Sequence, residues 1–224
     1  MIVSMWMTRN VLTIEPHMTI TEVAALMASK RVRRLPVVEI QGDQHRLIGI
    51  VSAKDILHAF PSDVNPFAVA AADSRVAPGT AADIMSRYLH TTTPDSPIEQ
   101  AAALMTEKKI GALPVVRDGK LIGMITESDV FRAFVSFFPA LEGGARITFD
   151  LSDDEDIFTF ISHEAQRRKL RVLTLITSHQ DTLPVCVVRI TGAGTERFLE
   201  DLWTSGHRVL NVIRFSTPDQ PPRD

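Results

Sequence analysis

Two short segments carry the residues whose types and spacing are best suited to bind a ligand. Each segment places a hydroxyl three residues before an aspartate. Ser52 precedes Asp55 in SAKD, and Thr126 precedes Asp129 in TESD. An ionised carboxylate can accept two hydrogen bonds at once, for example from the neighbouring hydroxyls of a ribose. The same spacing is also a capping box, in which the hydroxyl and the carboxylate close the start of a helix. Taken alone, each segment favours the capping role.

The two segments occupy matching positions in an internal repeat. Met7 aligns with Met85 at an offset of 78 residues, and the match continues to LPVV at residues 35–38 and 113–116. After the next turn the offset falls to 74, and LIGIVSAKDI aligns with LIGMITESDV. A repeat of this length indicates two similar folding units that share a core. Recurrence of the hydroxyl and aspartate in two matched units favours ligand binding by at least one of them, and capping can coexist with binding.

Periodicity predicts an α, β, β, α unit in each repeat. Apolar residues at i, i+3, i+4 and i+7 predict amphipathic helices that begin at Ile20 and Ile98. Pro36 and Pro114 suit the first residue of a strand, because proline cannot donate a ladder hydrogen bond. Asp118-Gly119 predicts a two-residue hairpin turn. An extended segment is expected before each unit, around residues 11–14 and 89–92.

The last third of the chain follows a different pattern, in which strands and helices alternate in the order βαββαβ. This is the split, ferredoxin-like arrangement, so the whole chain is predicted to be of the α/β (α+β) class. The segment between the repeats is rich in proline and has no clear period, and the C-terminal tail is rich in proline and charge. The predicted parts are a first repeat at 1–60, a linker at 61–80, a second repeat at 81–138, a ferredoxin-like domain at 145–215 and a disordered tail at 216–224.

Composition excludes several classes of protein. Hydrophobic residues make up 45% and charged residues 23% of the 224 residues, which fits a folded globular chain. The net charge of −3 provides no broad basic field, so neither nucleic acid nor a membrane is an expected partner. The single cysteine, Cys186, cannot form an internal disulfide, which fits a reducing compartment. Because no signal-peptide pattern and no long apolar span occur, we expect a cytoplasmic protein.

Catalytic motifs are absent from the sequence. The seven histidines form no HExxH motif, and neither a G-x-S-x-G elbow nor a Walker loop occurs. Cys186 lies in the apolar segment PVCVV, which favours a buried structural thiol over a nucleophile. The acidic run at residues 153–156 is better explained as the first turn of a helix than as a metal site. The sequence therefore predicts a protein that is not an enzyme and requires no metal or cofactor.

The duplicated order of helix, LPVV, turn and LIG-h-h-[ST]-x-x-D-h resembles a tandem pair of CBS domains, the Bateman module, over residues 1–138. The last third resembles an ACT domain in its element order, so the whole chain is similar to the CBS-CBS-ACT proteins of the acetoin-utilisation B type. The resemblance implies a sensor that binds AMP, ADP, ATP or another adenosyl compound, such as S-adenosylmethionine, between the repeats. It also implies a homodimer that relays the bound state to an unidentified regulated protein.

The resemblance further implies two composite sites, each pairing the stretch before LPVV in one repeat with [ST]-x-x-D in the other. There the aspartate holds the ribose, and a hydroxyl at a helix N-terminus favours a phosphate. The first site would combine Val32, Arg33 and Arg34 with Thr126, Ser128 and Asp129. The second site would combine Ile110, Gly111 and Ala112 with Ser52, Lys54 and Asp55. The sequence favours the first for a phosphorylated ligand, because arginine binds two phosphate oxygens. The alternative is a solvated basic cluster with Lys30 and Arg31.

The last third departs from the family pattern, and two alternative functions stay open. The ACT-like third reads LSDDEDIF where related domains have a glycine after the first strand, which argues against an amino-acid ligand there. A scaffold protein with a vestigial CBS pair that binds no nucleotide is the main alternative function. An enzyme of adenylate chemistry is a third possibility, but it needs a general base or a metal that the sequence does not supply.

Overall fold

The computed structural model describes residues 1–41, 44–60, 65–67, 79–137, 143–152, 156–180 and 183–215. The chain divides into two compact units, Met1–Ala133 and Phe134–Asp224. Most of the predicted linker, all of the predicted tail and residues 153–155 of the acidic run lie outside the described residues. The remaining member of that run, Asp156, is a helix N-cap whose carboxylate accepts from the N–H of Thr159 at 3.0 Å.

The first unit contains two copies of the predicted α, β, β, α order. A single 3-10 turn at Val3–Met5 precedes them. The first copy consists of α1 (Ile20–Lys30), β1 (Arg34–Gln41), β2 (Gln44–Ser52) and α2 (Ala53–Ala59). The second copy, after a short helix α3 (Ala81–Ile84), consists of α4 (Ile98–Lys108), β3 (Ala112–Arg117), β4 (Lys120–Thr126) and α5 (Glu127–Ser136).

The four strands form one antiparallel sheet in the order β1-β2-β4-β3. Each repeat supplies one hairpin, and Arg46 opposite Lys120 joins β2 to β4. The register shifts at the same place in both hairpins, between Val37 and Val38 and between Val115 and Val116. The predicted turn is present, with φ values of 51° at Asp118 and 76° at Gly119. The local geometry thus repeats as closely as the sequence does.

The two prolines lie inside their strands, which corrects the predicted strand starts. Pro36 is the third residue of β1 and Pro114 is the third of β3. The carbonyl of Pro36 accepts from the N–H of Ile14, and that of Pro114 accepts from the N–H of Thr92, each at 3.0 Å. Since the N–H and C=O of one strand residue point the same way, the missing donor faces the short extended segment, away from the hairpin partner.

The segment before each repeat packs on the hairpin of the other repeat. Met7 lies in the apolar core of the second repeat, and Met85 lies in that of the first. Glycine in each LIG motif makes room for this crossing. An ideal Cβ at Gly49 would overlap Sδ of Met85, and one at Gly123 would lie 2.8 Å from Sδ of Met7. The exchange ties the two repeats into one unit.

The second unit has the predicted βαββαβ order. Its elements are β5 (Gly144–Asp150), α6 (Ile157–Arg168), β6 (Arg171–Gln180), β7 (Leu183–Thr191), α7 (Thr195–Leu202) and β8 (Val209–Phe215). The antiparallel sheet has the order β6-β7-β5-β8, which is the ferredoxin-like arrangement. Cys186 is buried in its core, and burial raises the pKa of the thiol, so the reactive thiolate is disfavoured. The predicted fold class is confirmed.

Two arginines neutralise a buried carboxylate beside helices α6 and α7. Glu164 is 8% exposed and accepts hydrogen bonds from Arg167 at 2.9 Å and from Arg168 at 2.6 Å. Arg168 also donates to Asp201 on α7 at 2.6 Å. Burial raises the pKa of Glu164, but the two arginines outweigh it and hold the pKa below its ordinary value of 4.5.

We expect this network to make the second unit sensitive to acid. Because the pKa of Glu164 is lower in the folded than in the unfolded chain, its contribution to stability is complete above the unfolded pKa. That contribution is lost as the pH falls through the folded pKa. In urea titrations Glu164→Gln should lower the free energy of unfolding at about pH 7, and the difference should shrink at about pH 3.

Glu196 offers a matched control, because it is 70% exposed and lies 3.4 Å from Arg214. Exposed ion pairs contribute little, so Glu196→Gln should change the stability only slightly at either pH. A loss of stability in Glu164→Gln that is the same at both pH values would contradict the role of the charge.

None of the described helices combines the length and the apolar composition that a transmembrane segment needs.

Candidate functional site

A cavity of about 380 Å³ lies between the repeats beside Ser52 and Asp55, and we call it the Asp55 cavity. Its volume is in the range of roughly 300–1,000 Å³ that small-molecule sites occupy. The first repeat contributes Arg33, Arg34, Ile50, Ser52, Lys54 and Asp55. The second repeat and the segment before it contribute Tyr88, Leu89, His90, Lys109, Ile110, Gly111 and Ala112. The described lining therefore contains four cationic residues and one carboxylate.

The carboxylate of Asp55 has one engaged oxygen and one that remains available. Its Oδ2 accepts from the N–H of Ser52 at 2.7 Å and from the Ser52 hydroxyl at 2.6 Å. The Ser52 hydroxyl accepts in return from the N–H of Asp55 at 3.4 Å, which completes the capping box of α2. Within the described part of the chain, no donor is paired with Oδ1. Capping therefore leaves one oxygen of this half-buried side chain for a ligand.

A second cavity of about 380 Å³ occupies the repeat-related position, and we call it the Thr126 cavity. The N-terminal segment and the first repeat contribute Asn10, Val11, Leu12, Lys30, Val32, Arg33 and Arg34. The second repeat contributes Gly111, Ala112, Met124, Thr126, Glu127 and Ser128. Its walls are more apolar than those of the Asp55 cavity, and three cationic side chains accompany the carboxylate of Glu127.

Asp129 has a different environment from Asp55. It is 4% exposed and does not belong to the described lining of the Thr126 cavity. Its Oδ2 accepts from the N–H of Thr126 at 2.8 Å and from the hydroxyl at 2.7 Å, as in the first repeat. Its Oδ1, however, accepts a close hydrogen bond from Arg132. The exposed His58 stands at the equivalent position after Asp55. Both carboxylate oxygens of Asp129 are thus engaged within the protein.

The structure brings together most of the residues predicted for each site. All six of the second predicted site line the Asp55 cavity: Ser52, Lys54, Asp55, Ile110, Gly111 and Ala112. Five of the first predicted site line the Thr126 cavity: Val32, Arg33, Arg34, Thr126 and Ser128. Arg33 and Arg34 line both cavities, so they give no reason to prefer the first site for a phosphorylated ligand. Ligand binding by these residues stays a prediction.

The extended segments before α1 and α4 supply lining residues that the sequence interpretation missed. Asn10 and Leu12 line the Thr126 cavity, and Tyr88 and His90 line the Asp55 cavity. The offset of 78 residues that aligns the two repeats also aligns Asn10 with Tyr88 and Leu12 with His90. The repeat alignment was therefore the signal that could have identified them.

Known proteins share the first unit's pattern. The CBS domain family model matches residues 3–62 and 81–136. The CBS domain-containing protein YhcV of Bacillus subtilis is 31% identical over 124 residues, which is 55% of this chain and 79% of that protein. A homoserine O-acetyltransferase of Methanohalobium evestigatum is 33% identical over 134 residues. That match covers 58% of this chain but only 24% of the acetyltransferase, so the chain spans about a quarter of that relative's length.

Solved structures give similar matches. A Vibrio cholerae protein named for acetoin utilization (AcuB) is 27% identical with a TM-score of 0.50, over 61% of this chain and 91% of that one. CBSX2, solved in complex with AMP, is 29% identical with a TM-score of 0.49, over 62% of this chain and 98% of that one.

Proposed function

The chain belongs to the CBS-domain family, and from that premise we propose that it is a non-enzymatic regulatory protein that binds an adenine nucleotide between its two repeats. The ligand is AMP, ADP or ATP, and S-adenosylmethionine is the adenosyl compound that the test must separate from them. The bound state is relayed through a homodimer to a regulated partner protein. For such a relay, the ligand must bind two arrangements of the protein with different affinities.

The Asp55 cavity carries the proposal, because it combines the three chemical groups that a nucleotide requires. The available Oδ1 of Asp55 suits a ribose diol, since a carboxylate oxygen accepts hydroxyl hydrogen bonds. The side chains of Ile50, Leu89 and Ile110 offer an apolar wall for a base. The cationic groups suited to phosphates are those of Arg33, Arg34, Lys54 and Lys109.

Calorimetric titration of the full chain with AMP, ADP, ATP, S-adenosylmethionine and adenosine tests the proposal. We expect saturable binding of at least one nucleotide, and tighter binding of nucleotides than of adenosine because of the four cationic groups. Inorganic pyrophosphate is the control that separates nucleotide recognition from anion binding. Binding of S-adenosylmethionine alone would change the ligand class, and sustained nucleotide turnover would favour an enzyme.

The scaffold alternative predicts the opposite result. In that case, no adenine compound gives a heat of binding or shifts the melting temperature, and the affinity for the partner protein is the same with and without nucleotide. Such a result would mean that the cavities are vestigial and that the proposed function is wrong. Size-exclusion chromatography with light scattering measures the molar mass with and without the nucleotide that binds, and so tests the homodimer separately.

A further inference from the structure

The two cavities share one wall, and the described residues of that wall include one pair of cations. Arg33, Arg34, Gly111 and Ala112 line both cavities. The repeat aligns Arg33 with Gly111 and Arg34 with Ala112, so the second repeat has small, uncharged residues where the first has arginines. One arginine pair therefore faces two cavities.

Gly111 provides the space through which Arg34 reaches the second repeat. An ideal Cβ at Gly111 would lie 2.6 Å from Nη2 of Arg34 and 2.6 Å from Oε2 of Glu127. The guanidinium thus lies over the glycine, beside a carboxylate that belongs to the Thr126 cavity. In the described part of the chain, neither Arg33 nor Arg34 forms a salt bridge with a carboxylate. Both are available to an anion on either side of the wall.

We infer that phosphorylated ligands in the two cavities compete for Arg33 and Arg34, so that occupation of one cavity weakens phosphate binding in the other. This inference rests on the proposed function. A guanidinium that forms a bidentate pair with a phosphate in one cavity cannot donate the same N–H groups to a phosphate in the other cavity. Thermodynamic linkage makes the penalty reciprocal between the two cavities.

The remaining charges determine which cavity is filled first. Without the arginine pair, the Asp55 cavity keeps Lys54 and Lys109. The Thr126 cavity keeps Lys30, which is opposed by the carboxylate of Glu127. The first phosphorylated ligand therefore takes the Asp55 cavity together with both arginines, and the second ligand binds without them.

Titration of the full chain with ADP, compared with the double variant Arg33→Gln/Arg34→Gln, tests the competition. The tighter ADP site should weaken at least tenfold in the variant, and the weaker site should change less than threefold, because it already lacks the arginines when it fills. Arg31→Gln/Arg46→Gln is the matched control. It removes the same charge from two exposed residues outside both cavities, so neither ADP site should change.

Four results would overturn the competition. Two ADP sites of equal affinity in the parent protein, or an equal loss at both sites in the double variant, would mean that the cavities are independent. If the parent protein binds a single ADP, the number of adenosines bound per chain distinguishes two explanations. Two adenosines per chain support competition for the arginines, whereas one adenosine shows that the second cavity binds nothing. The absence of binding by every adenine compound would overturn the proposed function as well.

Discussion

Replacement of Asp55 by asparagine is expected to weaken binding of the adenine nucleotide by about 10- to 150-fold, the range for a lost hydrogen bond to a charged group. Asparagine can keep the carbonyl oxygen that accepts from the N–H and hydroxyl of Ser52, so the cap of α2 is preserved. It replaces the available Oδ1 with an amide that donates, and an amide nitrogen cannot accept from a ribose hydroxyl. Calorimetry measures the loss, and thermal melting checks that the fold is retained.

Asp129→Asn is the matched control, because the chemical change is identical. The carboxylate of Asp129 is already engaged by Thr126 and Arg132, so nucleotide affinity should change less than threefold. The stability should fall instead, since Arg132 loses its charged partner. If Asp129→Asn weakens binding more than Asp55→Asn does, the ribose is held in the Thr126 cavity and the assignment to Asp55 is wrong.

Local patterns in the sequence predicted the elements of each repeat well. The hairpin turn at Asp118 and Gly119 depends on two residues that tolerate positive φ, and the helix that begins at Ile20 depends on its apolar spacing. Both signals lie within a few residues. The crossing of Met7 and Met85 onto opposite hairpins depends on contacts between distant parts of the chain, so periodicity could not predict it.

The sequence predicted the residues of the candidate site in outline, but it did not predict that Asp55 and Asp129 have different environments. Similarity between the repeats placed Asp55 and Asp129 in equivalent roles, and both do form the same capping box. What separates them is the third residue after each, His58 in one helix and Arg132 in the other. Whether that residue turns back to the aspartate depends on side-chain conformation, which the alignment does not contain.

The arginine pair shows a similar limit. The sequence placed Arg33 and Arg34 beside one cavity, because the composite pairing of segments assigns each stretch to one site. In the structure they reach both cavities, since Gly111 has no side chain to block Arg34. The alignment of the repeats shows that the glycine is small, but not that a guanidinium from the other repeat lies over it.

Truncation of Phe149 to alanine is expected to destabilise the second unit by about 3 to 5 kcal/mol, the usual cost of removing a fully buried phenylalanine. Phe149 is 0% exposed and packs edge-on against Phe160 and His207, with ring centroids 6.5 Å apart in each pair. The matched control is Phe158→Ala on α6, since Phe158 is 67% exposed and its loss should cost less than about 0.5 kcal/mol. If the alanine variant does not fold, Phe149→Leu replaces it, and its loss of stability should lie between those expected for Phe149→Ala and Phe158→Ala.

Hydrogen exchange measured by mass spectrometry locates the effect, because protection is read separately for each strand. In Phe149→Ala, protection should fall in β5 to β8 and stay unchanged in β1 to β4, since the two units have separate apolar cores. Nucleotide affinity should also be retained, because every described residue that lines the Asp55 cavity belongs to the first unit. Loss of protection in both sheets would show that the units unfold together.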